Sequence, residues 1–223
     1  MSSRSGAPDW SYEVIRQRLT SERLGSYMVA ADGDLELAFT LYEWNMRASA
    51  AVLTTTGMVE VLVRNALDEQ LMGWARDRHQ GRSWFDAAPL DQQGRNDVAK
   101  ARERASRHGR TPEVHGKVVA ELSLGFWRYL VASRYLTSMW IPATHAAFPH
   151  GAQDLRRRRS DTETRLQRLL FVRNRAAHHE PIHRRDLSMD LRAAVELSAW
   201  ICPDAAAWVA DKSSIRQLVH ERP

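Results

Sequence analysis

Apolar positions recur along this chain three and four residues apart over long segments, and proline and glycine fall between those segments rather than between short alternating runs. That pattern predicts an all-α protein. Helices are expected at 10–18, 21–31, 35–55, 58–79, 91–107, 112–140, 161–179, 188–200 and 204–221. Asp34, Thr111 and Ser160 stand where N-caps belong, and Pro181 and Pro203 follow two segments as stops. Only "VEVLV" at 59–63 alternates as a strand does. Val59, Leu62, Val63, Ala66, Leu67 and Gln70 carry it on at helical spacing, so it too reads as helix. Within 112–140, Leu122, Phe126, Tyr129, Leu130, Leu136 and Trp140 fall at core spacing, an aromatic stripe expected to pack rather than to stack nucleobases.

Two segments break their own pattern. On a helical wheel centred on Leu166, Leu169, Leu170, Ala176 and Ala177 lie within about 80° of the centre, and Arg173 lies about 20° from it. A guanidinium in that place is costly to bury unless it is paired or faces a polar cavity. Asn174 and His178, four residues apart, stack on the flank of the same face, so Arg173, Asn174 and His178 can line one concavity. Upstream, Glu60 falls inside the apolar arc of its helix with Arg64 one turn later, the spacing of a helical ion pair. Glu60 can pin Arg173 or Arg64, or the pair can be an ordinary one at the core boundary.

Composition narrows the class of protein. A chain of 223 residues, 43% hydrophobic and 26% charged, is expected to form a single domain over 1–223. The segment 1–11 lacks a basic-then-apolar signal pattern and no run of eighteen apolar residues occurs, so a cytoplasmic protein with no membrane partner is expected. Cys202 is the lone cysteine, which excludes an intrachain disulfide and a cysteine-rich zinc site. The formal net charge is +5 and it is uneven: residues 156–185 hold ten arginines against Asp161, Glu163 and Glu180. Such a local excess suits a polyanion, because arginine on phosphate releases condensed counterions. Arg156, Arg157, Arg158, Arg159 and Arg175 are the candidate RNA-binding residues, with a solvated charged face as the alternative for the run 156–159.

The string Arg173-Asn174-Arg175-Ala176-Ala177-His178 resembles the signature of the HEPN superfamily, an arginine, a polar residue and then a histidine on the last core helix. The longer "VRNRAAHHEPIH", with "VEVLVRNAL" and "ELSLGFWRYL" upstream, resembles the Abi-like (abortive infection) family within it, over nearly the whole chain and in order. The resemblance implies an HEPN-type helical bundle with additional helices. It further implies a metal-independent endoribonuclease of phage defence, often a homodimer joining two motifs in one cleft, with no cofactor. A partner RNA or antitoxin could restrain it. HEPN toxins paired with a nucleotidyltransferase antitoxin carry a tyrosine two residues after the motif histidine. Here that residue is Glu180, which argues against control by tyrosine modification.

Residue chemistry points the same way. Histidine can take a proton from a ribose 2′-hydroxyl or give one to the leaving 5′-oxygen, and arginine can hold the phosphate and its growing charge. Arg173, Asn174 and His178 are therefore the candidate catalytic residues, with Glu60, Arg64 and His179 in support; His179, adjacent, could replace His178 as the base. The substrate is expected to be RNA, since the reaction needs the 2′-hydroxyl. His178, His179, Glu180 and His183 invite a metal, but Pro181 interrupts the helical register that ligands on one face require, so no metal is expected. The rival reading is an HEPN-like protein that holds a dedicated partner RNA without cutting it.

Overall fold

The structure is a computed structural model that describes residues 10–223, so most of the segment 1–11 lies outside the described residues. The protein is all-α, with no strand among those residues. Short helices α1 (Tyr12–Leu19) and α2 (Ser21–Ala30) lead into α3 (Leu35–Arg78), which spans 44 residues, or about 65 Å at the usual rise. Asp34 caps α3 as expected, accepting the Leu37 amide at 3.0 Å. The expected break at 55–58 is absent. Thr54, Thr55 and Thr56 are poor helix formers, yet each hydroxyl bonds the carbonyl four residues back, and Thr55 and Thr56 are buried in line with Val52 and Val59. Tertiary burial overrides local propensity there.

Helices α4 (Trp84–Ala87), α5 (Gln92–Ala105), α6 (His115–Glu121) and α7 (Leu124–Leu130) follow. The single helix expected over 112–140 is thus broken. Val114, not Thr111, precedes α6, and Ser123 ends it by capping α7 through the Phe126 amide. Beyond Leu130 the chain continues as a 3-10 turn at Ser133–Tyr135 and a π turn at Leu136–Trp140. Phe126, Trp127, Leu130 and Trp140 are nevertheless all buried in the core.

Helix α8 (Leu155–Ala177) begins at Asp154, whose carboxylate accepts the Arg157 amide at 2.7 Å, so Ser160 is not the cap and the run 156–159 is helical. Helices α9 (Leu187–Ile201), α10 (Pro203–Lys212) and α11 (Ile215–His220) complete the chain, with Pro203 opening α10 and a break at Ser213 and Ser214 inside the expected 204–221. Two cores share α3, α8 and α9. One gathers Trp84, Trp127, Trp140, Leu166 and Leu169; the other gathers Tyr27, Trp44, Val52, Val172, Ala176 and Leu218. By length and mean hydropathy, α3 contains a window able to cross a bilayer, and 44% of that window is buried inside the fold, as in a central bundle helix.

Candidate functional site

Helix α8 passes from one core to the other near its C-terminal end, and this sets the direction of each motif residue. Leu166 and Leu169 are buried in the first core, Val172 and Ala176 in the second. The buried stripe therefore rotates away from the centre that the wheel assigns it, and Arg173 stands half-buried beside it rather than in its middle. Arg173 faces α3 and the start of α7. The Glu60 carboxyl is pushed above the usual carboxylate range by burial, against the pull of Arg173, then Arg64, then the Leu124 amide. No ion pair joins Glu60 to either arginine among the described residues, so Glu60 senses both without pinning either. The Arg64 Nε is buried with no acceptor, and Arg173 reaches only the Asn174 side-chain oxygen, at 3.3 Å. Two guanidiniums thus keep free N–H donors around one desolvated carboxyl, an arrangement that attracts an anion.

Beyond Ala177 the helix ends in a Schellman turn. The Glu180 amide bonds the Arg175 carbonyl at 2.9 Å and the His179 amide bonds the Ala176 carbonyl at 3.1 Å. His178 is the C-cap, and His179 takes the left-handed position with φ of 55°. Three side chains fix the turn. Arg23 donates to the His179 carbonyl, Arg175 donates to the Pro181 carbonyl at 2.9 Å, and the Asn45 side-chain oxygen accepts the buried Ile182 amide at 2.7 Å. Asn174 and His178 are exposed, and the His178 ring makes no hydrogen bond among the described residues. Arg175 is engaged with Pro181 and Glu180, which leaves it little capacity for phosphate.

The histidine string divides at Pro181. His183 is 1% exposed, lies 4.8 Å from the Tyr27 ring, and neither of its nitrogens has a partner. Burial lowers its pKa first, with Arg184 and Arg222 adding to the effect. His178 and His179 face solvent instead, and no group of three metal-ligating side chains converges among the described residues.

Most of the basic run is engaged in holding the fold. Arg158 donates to the Ala152 carbonyl at 2.7 Å and packs so closely on Gly151 that a Cβ there would lie 2.9 Å from its stem. Arg159, with a side chain 12% exposed, donates to the Val131 carbonyl at 2.9 Å and pairs with Glu163. Arg157 reaches Asp161 at 3.6 Å, and Arg156 alone of the four has no partner among the described residues. The expected phosphate-holding role of 156–159 narrows to Arg156 and Arg157. Sequence reasoning missed Arg23, Asn45 and the exposed Phe171 and Arg222, and counted Arg184 in the basic segment 156–185 without giving it a role of its own. Phe171 had a visible signal, sharing i, i+3, i+7 spacing with Asn174 and His178.

No known protein family, curated protein or solved structure matches this chain.

Proposed function

We propose that the protein is an Abi-like endoribonuclease of the HEPN type, cutting RNA without metal. The observation that carries this reading is a solvent-facing Asn174 at the end of α8 and His178 on a turn fixed at three points, next to a half-buried Arg173 that makes no ion pair among the described residues. A binding surface needs the cation; it has no need of a solvent-facing imidazole held in place. In the proposed reaction His178 accepts the proton of a ribose 2′-hydroxyl, whose oxygen attacks the adjacent phosphorus. The bond from phosphorus to the 5′-oxygen breaks, and that oxygen takes up a proton. Arg173, with Arg64 behind it, holds the charge on the phosphoryl oxygens. The products are a 2′,3′-cyclic phosphate and a 5′-hydroxyl.

One chain leaves the motif open, which favours a homodimeric cleft. On α3, Met46, Ala50, Leu53 and Gly57 repeat at heptad spacing on an exposed flank that continues into Glu60 and Arg64. A Cβ added at Gly57 would meet nothing, so a second helix can approach closely. Leu53→Glu is expected to convert dimer to monomer in light scattering and to remove cleavage while leaving the fold intact. The function itself is tested by incubating RNA with protein in EDTA. Cyclic phosphate ends, blocked by 2′-deoxy substitution at the cut and lost in His178→Ala with affinity kept within a few-fold, support the proposal. Ends bearing 5′-phosphate with a magnesium requirement overturn it in favour of metal-activated water. Tight binding of one RNA without cutting overturns it in favour of the holding role.

A further inference from the structure

Phe171 is the one large apolar side chain of α8 exposed to solvent, at 49%. It lies three residues before Asn174 and seven before His178, so the three share one outward face of the helix. Its surroundings are cationic rather than apolar. The Arg185 guanidinium lies 4.9 Å from the ring centroid and that of Arg175 lies 5.8 Å from it. Both have their donors occupied, Arg185 by the buried Asp190 and Arg175 by Pro181 and Glu180, so they brace the ring instead of competing for a ligand. Arg185 also lines a cavity of about 300 Å³ with Trp44, Arg184 and Arg222. Arg184 and Arg222 are exposed and make no hydrogen bond or ion pair among the described residues.

An exposed aromatic ring braced by two engaged guanidiniums, with two unpaired ones at the adjoining cavity, matches one kind of ligand well: a planar base carried on a phosphate chain. An apolar protein partner would instead need apolar neighbours around the phenyl ring, and those neighbours are arginine, asparagine and histidine. Bases inside a duplex are not available for such stacking, so the ligand is single-stranded. We infer that Phe171 is a nucleobase-stacking platform for single-stranded RNA beside the motif, with Arg184 and Arg222 taking the phosphate that follows along the strand. This rests on the RNA reading above and adds the strandedness of the substrate and the direction of its path, from α8 toward the cavity at the start of α9.

The test uses a short single-stranded oligoribonucleotide containing 2-aminopurine and 2′-O-methylated throughout, so that cleavage cannot remove it. Stacking on Phe171 is expected to change the 2-aminopurine fluorescence on binding. Phe171→Ala should erase that change and weaken affinity by roughly 5- to 100-fold, while Phe171→Trp restores both. Thermal stability should hardly move, because the ring is exposed. Unchanged affinity and fluorescence in Phe171→Ala, with wild type binding well, overturn the platform and leave the ribonuclease reading standing. Loss of binding that follows conversion of dimer to monomer also overturns it, making Phe171 an interface residue. Failure of wild type to bind any single-stranded RNA removes the RNA reading and this inference together.

Discussion

The two ends of α8 carry the same side chain to different ends. At the N-terminal end Arg158 and Arg159 reach backbone carbonyls at Ala152 and Val131, and Glu163 closes the pair with Arg159. At the C-terminal end Arg173 has only a neighbouring amide oxygen, and beyond the turn Arg184 has no partner, among the described residues. The difference comes from what each end faces. The start of α8 packs on irregular backbone, whose unsatisfied carbonyls require donors. Its end packs on α3 and α9, and the carbonyls of the turn that follows are already taken by Arg23 and Arg175, so Arg173 is left without a backbone acceptor among the described residues. Arginine count alone locates neither role; the supply of orphan acceptors decides it.

The sharpest test exchanges the two ends. Arg173→Ala is expected to lower cleavage by about 10²- to 10³-fold, the usual cost of removing one donor to a transition-state charge. Stability should stay within about 0.5 kcal/mol, since no internal acceptor is left bare. Arg159→Ala should do the reverse: a loss of about 1 to 2 kcal/mol from the unpaired Val131 carbonyl, Glu163 keeping Arg128 at 3.7 Å, with the rate per folded molecule unchanged. Paired thermal melts and single-turnover rates read both. Arg159→Ala that keeps its melting temperature but loses RNA binding would abolish the distinction between the ends.

How far the sequence reveals this contrast depends on which bonds are local. The helical class, the Asp34 cap and the aromatic packing of Phe126 and Trp140 follow from periodicity and short-range chemistry. The fate of Arg159 does not. In the continuous helix expected over 112–140, the Val131 carbonyl would be bonded within that helix. Because α7 ends at Leu130, the carbonyl is left for a side chain 28 residues on. Similarly, Arg173 looks central on a wheel that assumes one core, whereas α8 serves two. The continuity of α3 through Thr54, Thr55 and Thr56 is decided by burial, which local propensity cannot register.

Acid should act on the buried side of the motif turn through His183. His183 is buried, and its folded pKa lies below the ordinary value of about 6.5 because of desolvation, with Arg184 and Arg222 adding repulsion. The charged groups around it are those two arginines; the ring beside it is Tyr27, whose own pKa burial pushes up to about 12 and which stays neutral throughout. In the sign of linkage, a base depressed in the fold leaves the unfolded chain binding the extra proton. Stability is therefore full above about pH 6.5 and falls as pH drops through the lowered folded value, at no more than about 1.4 kcal/mol per pH unit. Melts across this window should show wild type losing stability relative to His183→Leu as pH drops if His183 is the source, because the variant has no proton to bind there in the unfolded chain. A parallel pair of curves would place the acid sensitivity elsewhere.

The smallest expected effect separates the two adjacent histidines. His179 occupies the left-handed position of the Schellman turn, where a residue with a Cβ costs about 1 kcal/mol relative to glycine. What the turn needs from this residue is its backbone: the amide bonds Ala176 and the carbonyl accepts from Arg23, and the ring is exposed. His179→Gly keeps both backbone bonds and removes the strain, partly offset by the greater freedom of glycine in the unfolded chain. The expected gain is thus a few tenths up to about 1 kcal/mol, or roughly 1 to 3 °C for a chain of this length. Cleavage should be unchanged, because His178 keeps its place on the outward face of α8. A variant that melts higher but no longer cuts would transfer the acid–base role to His179 and make the exposed half of the helix end one residue later than its geometry indicates.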